Sequence, residues 1–317
     1  MKEAIRDPGD LCRRLGLPQS LADEAAASLG GFPLFVPSSY LARIEPGNPD
    51  DPLLRQVLPR GDELLPAAGF SDDPVGDLAA SPTPGLIVKY RSRALMVTTG
   101  ACAVHCRYCF RRHFPYSEAP RSVEAWAEGL AKIAADASLR EVILSGGDPL
   151  TLADELLAEL ARRLAAIEHV ARLRVHSRLP IVLPERVNDE LVAWLTGTRL
   201  TPVMVVHANH PAELDAAVVA ALARLSAAGV LLLNQSVLLR GVNDSADVLA
   251  ELSERLIELR VVPYYLHQLD RVAGAAHFEV PVERGRAIVA ELRERLSGYA
   301  VPRYVQEIAG AASKVPL

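Results

Sequence analysis

The sequence predicts an α/β fold in which a parallel sheet of six strands curls into an open, partial barrel. From Arg93 onward, short apolar runs alternate with segments whose apolar residues recur at helical spacing. The alternation repeats about every 30 residues, as expected for βαβ units, whose strands lie parallel. In such barrels the chemistry occurs at the carboxyl ends of the strands, so functional residues are expected directly after them.

Each element follows from a local pattern. Ser122 and Asn188 are suitable N-caps for two of the predicted helices, and Gly197 and Gly229 are suitable stops for helices. The six predicted strands are Ala94–Thr99, Glu141–Ser145, Leu173–His176, Pro202–His207, Val230–Ser236 and Val261–Leu266. The helices predicted between them are Val123–Ala137, Ala153–Ile167, Asp189–Leu195, Ala212–Ala228 and Ala246–Leu259.

The first 85 residues differ from the rest in being rich in Pro, Gly and Asp. A short helix is predicted at Leu21–Leu29, and the following residues are expected to form an extended, irregular wrap. Residues 1–85 are therefore expected to be an extension of the barrel and not an independent domain.

Composition excludes several classes of function. The net charge of −5 gives no basic excess for binding nucleic acid. Apolar stretches such as Val230–Leu233 are too short to span a membrane. Met1–Gly9 lacks the apolar run of a secretory signal. We therefore expect a cytoplasmic protein with neither nucleic acid nor membrane as a partner.

Three of the four cysteines, Cys102, Cys106 and Cys109, lie within eight residues, directly after the first predicted strand. In a reducing compartment such a group indicates a metal or cluster site and not disulfides. The spacing C-x3-C-x2-C suits three irons of a [4Fe–4S] cluster. The fourth iron then stays open, as chelation of S-adenosylmethionine requires.

Two other metal sites are weaker interpretations of the same residues. A structural zinc ion needs four ligands, and His105 could supply the fourth only from a cramped position inside the loop. A ferredoxin-like cluster needs a fourth cysteine, and the remaining one, Cys12, is distant in sequence. Cys12 is more simply an incidental thiol.

The second predicted strand ends in a glycine-rich run, Ser145-Gly146-Gly147-Asp148-Pro149. Alone it would indicate an ordinary turn, but its position one βα unit after the cysteines favours ligand binding. Together with the aromatic Tyr108 in C-x3-C-x-aromatic-C, it resembles the radical S-adenosylmethionine superfamily. The resemblance implies that Ser145, Gly146, Gly147 and Asp148 bind S-adenosylmethionine, and that the fold is the superfamily's partial (β/α)6 barrel, over residues 86–300.

From Phe32 to Leu317 the chain resembles the lysine 2,3-aminomutase family, in particular the short members that act in modification of elongation factor P. The matching runs are long: Phe32–Leu41, Asp51–Pro59, Cys106–Tyr116, His176–Val182, Leu233–Arg240, Pro263–His267 and Gly274–Phe278. The long enzymes that act on free lysine have extra cysteines for zinc and a C-terminal extension for assembly. This chain has neither feature, so their oligomeric state is not carried over to it.

The resemblance implies that pyridoxal phosphate is attached to a lysine near the C-terminus. The chain has only four lysines, at positions 2, 89, 132 and 314. Lys2 lies near the terminus and Lys132 in a predicted helix, whereas Lys89 and Lys314 both remain possible from the pattern alone. The family's small-residue loop and proline-containing tail match Gly310–Leu317, which favours Lys314 and makes residues 301–317 a cofactor-binding segment.

Other roles are implied position by position. Arg93 matches the arginine that binds the cofactor phosphate, and Arg111 matches the arginine that pairs with the substrate carboxylate, both by bidentate geometry. Asp270 and Glu307 match acidic residues that bind the distal ammonium, with Glu307 replacing an aspartate. His207 and Gln235, at two strand ends, are expected to face S-adenosylmethionine.

The implied reaction is a 1,2-amino shift that converts lysine to β-lysine, with flavodoxin or ferredoxin as electron donor. A separate ligase would then attach β-lysine to elongation factor P. Two alternatives stay open: the same reaction on glutamate, on arginine or for metabolism of free lysine, and a non-catalytic iron–sulfur protein. The acidic pair favours a cationic substrate, and the intact Lys314 and cysteine triad argue against loss of catalysis.

Overall fold

A computed structural model describes residues 4–118, 120 and 122–317. Within these residues, nine strands form one sheet in sequential order. The strands are β1 (Leu86–Tyr90), β2 (Arg93–Thr99), β3 (Glu141–Gly146), β4 (Arg172–Ser177), β5 (Thr201–Val206), β6 (Leu231–Val237), β7 (Val262–His267), β8 (Arg303–Gln306) and β9 (Val315–Pro316).

The strands β2 to β8 run parallel, and β1 and β9 add antiparallel edges. Parallel pairing places the carboxyl ends of β2 to β8 at one end of the barrel, which is where loops carry function in such folds. The order runs from β1 at one edge to β9 at the other, so the barrel has a seam between these two strands.

Helices cover the outside of the sheet. Those of the barrel have one buried apolar stripe each; α6, for example, buries Leu157, Leu160, Ala161 and Leu164. The helices are α1 (Pro8–Arg14), α2 (Gln19–Ala27), α3 (Ser38–Leu41), α4 (Pro52–Arg55), α5 (Ala127–Ala135), α6 (Asp154–Ala165), α7 (Leu179–Val182), α8 (Asp189–Thr196), α9 (Ala216–Ala227), α10 (Ala246–Glu258) and α11 (Val282–Arg295). Single turns of 3-10 helix occur at Gly61–Leu64, Tyr116–Glu118, Pro149–Thr151, Pro184–Arg186, Pro211–Glu213, Ala276–Phe278 and Gly298–Ala300. None of the described helices is long and apolar enough to cross a bilayer.

The N-terminal residues pack into the same core as the barrel. Leu11, Tyr40 and Leu54 are buried in one apolar cluster with Val142 of β3 and Leu232 of β6. This shared core holds the N-terminal segment against the cysteine loop.

The fold class is confirmed, and each of the six predicted strands is present within one or two residues of its expected bounds. The strand count was too low, because β1, β8 and β9 also join the sheet. The N-terminal segment contains α1 in addition to the predicted helix at α2. Ser122 does not cap α5 as predicted. Its Oγ accepts a hydrogen bond from the Ala125 amide in the turn that precedes the helix, and α5 begins only at Ala127. Asn188 does cap α8, accepting from the Leu191 amide.

Candidate active site

A cavity of about 470 Å³ runs along the inside of the barrel. One end is formed by the cysteine loop after β2, and the other reaches Arg93 at the start of that strand. Every site residue predicted from the sequence lines this cavity. They are Arg93, Cys102, Cys106, Cys109, Arg111, Ser145, Gly146, Gly147, Asp148, His207, Gln235, Asp270, Glu307 and Lys314.

The three thiols of the cysteine loop lie on the cavity wall. Burial, together with the neighbouring thiols, raises the pKa of Cys109 to about 11 and that of Cys102 well above its usual range. Metal binding must therefore displace their protons. Among the described residues, no three His, Cys, Asp or Glu side chains converge on a single-ion site. An iron–sulfur cluster does not require its ligands to converge on one ion, because each thiolate binds a different iron.

The N-terminal segment anchors the cysteine loop. The Arg107 guanidinium donates from Nε and Nη2 to the two oxygens of Glu63, at 2.8 and 2.5 Å, and from Nη1 to the Phe32 carbonyl. Arg112 Nη2 donates to the same carboxylate at 2.8 Å. The side chains of Arg107 and Glu63 are 0% and 1% exposed, so this pair fixes the loop from inside the protein.

His105 faces the N-terminal segment. Its Nδ1 lies 2.8 Å from the Pro33 carbonyl oxygen, and its ring stacks on Phe32 with centroids 5.0 Å apart. Among the described residues, no group of three or more His, Cys, Asp or Glu side chains is arranged to hold one metal ion, so the structure gives no support to a zinc site that uses His105. The other spare ligand, Cys12, is buried in α1 and does not line the cavity.

The glycine-rich turn after β3 packs directly on the cysteine loop. A Cβ atom at Gly146, whose φ is +127°, would lie 2.5 Å from the Thr99 carbonyl oxygen. One at Gly147 would lie 2.3 Å from the Ala101 carbonyl oxygen. Only glycine allows this approach, so the two loops hold each other in place.

Asp148 is a structural carboxylate at the same turn. Its Oδ1 accepts from the Leu150 amide and the Ser177 hydroxyl, and its Oδ2 accepts from the amides of Arg178 and Leu179, at 2.7–3.2 Å. Burial raises its pKa to about 6, while these four bonds favour the ionised form. Asp148 thus joins the ends of β3 and β4, and its oxygens are already occupied.

Five alternating charges cross the seam of the barrel. Arg111 Nε and Lys89 Nζ each lie 2.6 Å from an oxygen of Asp77. Lys89 Nζ also lies 3.4 Å from Glu307, whose other oxygen is 2.5 Å from Lys314 Nζ. Burial alone would raise the pKa values of both acids. The adjacent cations outweigh burial and hold both pKa values below their usual range.

Glu307 therefore lies next to the predicted cofactor lysine. It also accepts a hydrogen bond of 2.6 Å from the Tyr90 hydroxyl, which ties β1 to the end of β8. The two candidate lysines, Lys89 and Lys314, meet at this one carboxylate. Of the other two, Lys132 is exposed on α5 and Lys2 lies outside the described residues.

Asp270, after β7, contrasts with the paired acids. Its Oδ1 is inaccessible to solvent and has no hydrogen-bond partner in the described structure. Burial raises its pKa to about 7, an effect that Lys314 opposes and Glu307 reinforces. An unpaired buried carboxyl on a cavity wall is suited to a cationic ligand.

His207 and Gln235 meet at the ends of β5 and β6. The Gln235 amide donates to His207 Nε2 at 2.9 Å, and burial lowers the pKa of His207 to about 3. The imidazole is therefore neutral at physiological pH. His176 approaches the same ring edge-on, with centroids 5.9 Å apart.

The chain matches the Radical SAM superfamily over residues 96–252. It is 49% identical over 320 residues to the L-lysine 2,3-aminomutase of Escherichia coli K12, covering 100% of this chain and 93% of that one. It is 46% identical to the enzyme of the same name from Haemophilus influenzae, covering 99% and 93%.

The chain belongs to the lysine 2,3-aminomutase family.

Its similarity extends to the L-lysine 2,3-aminomutase of Clostridium subterminale, at 37% identity over 100% of this chain and 76% of the relative. A radical SAM methyltransferase from Sphaerobacter thermophilus aligns with a TM-score of 0.51 and 21% identity, over 69% of this chain and 68% of that one. At that identity the methyltransferase supports the fold alone.

The lysine 2,3-aminomutase family is dependent on pyridoxal phosphate, and the radical SAM superfamily on a [4Fe–4S] cluster and S-adenosylmethionine. The cavity fits such ligands because several of its buried polar atoms have no hydrogen-bond partner among the described residues. These atoms are Arg174 Nε, His176 Nε2, Arg178 Nε, His267 Nε2 and Asp270 Oδ1. Unpaired buried polar atoms are rare without a ligand or water to satisfy them.

The end of the cavity that is remote from the cysteines fits a phosphate. Arg93 stacks over the Tyr90 ring at 4.4 Å. Burial, together with the charge of Arg93, lowers the pKa of Arg174. Arg174 Nη2 is already paired with Glu141 of β3, whereas its Nε is buried without a hydrogen-bond partner. The Arg93 guanidinium and Arg174 Nε are therefore the donors available to an anion at this end.

Several residues of the site were missed at the sequence level. Asp77, Tyr90 and Arg174 carry no motif, and only the fold brings them to the cavity. Arg178 and His176 lie in the strand-end run His176–Val182, whose match to the family was the available signal.

Proposed function

We propose that the protein converts L-lysine to β-lysine by a 1,2-amino shift. The observation that carries this proposal is that one cavity holds a cation, Arg111, an unpaired carboxyl, Asp270, and the lysine Lys314. A substrate with an α-carboxylate and a distal ammonium complements that arrangement. The name of the relatives, L-lysine 2,3-aminomutase, supports the same substrate.

The cysteine end of the cavity would hold the radical-generating group. Cys102, Cys106 and Cys109 would bind the [4Fe–4S] cluster. When bound, S-adenosylmethionine at the open iron supplies a radical that removes a hydrogen from the substrate β-carbon, and pyridoxal phosphate carries the migrating nitrogen. The residues proposed to contact S-adenosylmethionine are Ser145, Gly146, Gly147, His207 and Gln235. A neutral His207 would contact S-adenosylmethionine through hydrogen bonds and not through an ionic interaction.

The opposite side of the cavity would hold pyridoxal phosphate. Lys314 would be its point of attachment, and Arg93 would bind its phosphate, with Arg174 as a second cation. Glu307 keeps Lys314 Nζ at the cavity wall through its 2.5 Å contact. This contact would hold Lys314 Nζ where the cofactor attaches, before the substrate amine takes its place.

Two groups would recognise lysine. Arg111 uses Nε and Nη1 for Asp77 and Ser145, so Nη2 is the group that would meet the α-carboxylate. Asp270 would pair with the distal ammonium, with Glu307 nearby. Asp148, whose oxygens accept four protein hydrogen bonds, would position the loops and not touch a ligand.

We also propose the cellular setting implied by the resemblance. The protein would act in the cytoplasm, receive electrons from flavodoxin or ferredoxin, and pass β-lysine to a ligase that modifies elongation factor P.

An activity assay tests the function. Anaerobically reconstituted protein is incubated with L-lysine, S-adenosylmethionine, pyridoxal phosphate and a reductant, and the products are separated by chromatography. Wild type and Lys132→Ala, a change at an exposed lysine, should form β-lysine, and Lys314→Ala should form none. Absence of β-lysine from fully reconstituted wild type, or equal formation by Lys314→Ala, would contradict the proposal.

A further inference from the structure

We propose that Arg178, held by Glu213, sets the reduction potential of the cluster by donating a hydrogen bond to the sulfur of Cys106. The inference rests on the proposed function to the extent that Cys106 must be a cluster ligand. It assigns a positioning and tuning role to two residues outside the cysteine motif.

The contact with sulfur is direct. Arg178 Nη1 lies 2.7 Å from Cys106 Sγ. Within the described residues, no other charged side chain donates a hydrogen bond to a cysteine sulfur of the loop. The Arg178 residue is 5% exposed, so solvent competes little with this contact.

The guanidinium is held from behind by a buried polar network. Arg178 Nη2 donates to Glu213 Oε2 at 2.8 Å and to Gln56 Oε1 at 2.7 Å. Glu213 Oε1 accepts from the Asn209 amide at 2.8 Å, and Asn209 Nδ2 donates to the Tyr108 hydroxyl at 2.7 Å. Glu213 is fully buried, and Tyr108 belongs to the cysteine motif itself, so the network has little freedom to move.

The sign of the effect follows from charge. Reduction adds an electron to a cluster that already carries three thiolates, and a nearby cation stabilises the added charge. Hydrogen bonds to sulfur and local charge are established determinants of cluster potentials. Arg178 therefore makes the potential less negative, whereas Glu213, behind it, partly opposes that effect. In this low-dielectric surrounding both charges act at close range with little screening by solvent.

The test is an anaerobic redox titration of the reconstituted protein, monitored by electron paramagnetic resonance without S-adenosylmethionine. Arg178→Gln should shift the midpoint potential to a more negative value, and Arg178→Lys should give an intermediate potential. Glu213→Gln should shift it in the opposite direction. The matched control is Arg186→Gln, which removes a partly buried arginine that binds Asp154 away from the cavity; it should retain the wild-type potential.

Opposite shifts for the Arg178 and Glu213 variants would support the inference. Potentials equal to that of the control, or shifts in the same direction, would overturn it. If Arg178→Gln fails to assemble a cluster, the midpoint potential of Glu213→Gln is the deciding measurement. A less negative potential than that of the wild type supports the proposed role of Arg178 and Glu213, and an unchanged potential overturns it. Retention of a wild-type cluster by Cys106→Ala would instead refute the ligand assignment, a failure that is distinct from the others.

Discussion

The unpaired carboxyl of Asp270 makes a quantitative prediction about stability. Burial raises its pKa from 3.8 to about 7. The folded protein therefore binds this proton more tightly than the unfolded chain does. The resulting stability is fully present below pH 3.8 and is lost as the pH rises through 7, at about 1.4 kcal/mol per pH unit. Between pH 5 and pH 8 the loss from this group amounts to about 2–3 kcal/mol.

The change Asp270→Asn removes this titration. Urea unfolding of protein purified without cofactors, at pH 5 and at pH 8, gives the free energy of unfolding at each pH. The wild type should lose about 2–3 kcal/mol more than Asp270→Asn between these two values. Any constant effect of the asparagine cancels in this difference. Asp247→Asn, a change at a side chain that is 88% exposed, should keep the wild-type dependence.

The same carboxyl should discriminate between substrates. In Asp270→Asn, kcat/KM for lysine should fall by an amount equivalent to about 2–5 kcal/mol, the range for truncating a buried charge pair. Binding of norleucine, which lacks the ammonium, should be unchanged. Identical pH dependence of stability in Asp270→Asn and wild type would refute this reasoning, because the carboxyl would then not titrate as its burial requires.

Three further predictions concern the cysteines, the lysine and the N-terminal anchor. Alanine at Cys102, Cys106 or Cys109 should abolish the broad visible absorbance of the reconstituted cluster, whereas Cys12→Ala should keep it; loss of absorbance in Cys12→Ala would sink the three-ligand assignment. Borohydride reduction followed by peptide mapping should place a pyridoxyl group on Lys314. A pyridoxyl group on Lys89 would contradict this assignment and would identify Lys89, the other lysine that contacts Glu307, as the attachment site. Glu63→Ala should lower the free energy of unfolding by about 3–5 kcal/mol, because it leaves the buried Arg107 without a counter-charge. The exposed pair on α6 is the control: Glu159→Ala should give no resolvable change in urea unfolding, and an equal loss there would disprove the anchoring argument.

Among the central strands, β3 and β5 were predictable as nearly continuous apolar runs, the pattern of parallel strands that are covered on both faces. β4 and β6 instead bury every second residue, and this period of two also indicates a strand. The strands β1, β8 and β9 lack that signal. β1 contains Lys89, β8 has only four residues and begins with the exposed Arg303, and β9 consists of Val315–Pro316. Such short edge segments acquire strand geometry from the neighbouring strand and not from their own sequence. The helix α11 was missed because most of it is polar, with few apolar residues on its buried side.

The residues of the site likewise fall into those that a local sequence pattern indicates and those that only tertiary folding brings together. The cysteine triad and the glycine-rich turn are local patterns, so their chemistry can be inferred from spacing. The contacts of Asp77 with Arg111 and Lys89 depend on tertiary folding, because an irregular segment must cross the mouth of the barrel to make them. The approach of Glu307 to Lys314 likewise requires β8 and β9 to pair in antiparallel orientation. Sequence alone could indicate acidic recognition of an ammonium, but not that Glu307 binds Lys314, the proposed cofactor lysine.

Transfer of a labelled nitrogen tests the central claim most directly. Reconstituted protein is supplied with lysine that carries ¹⁵N at the α-amino group, in the presence of excess unlabelled ammonium, and the product is examined by nuclear magnetic resonance. An amino shift within one bound molecule predicts β-lysine with ¹⁵N attached to its β-carbon and no label lost to solution. Unlabelled nitrogen at the β-carbon, or recovery of unchanged lysine from protein with a complete cluster, would contradict the account.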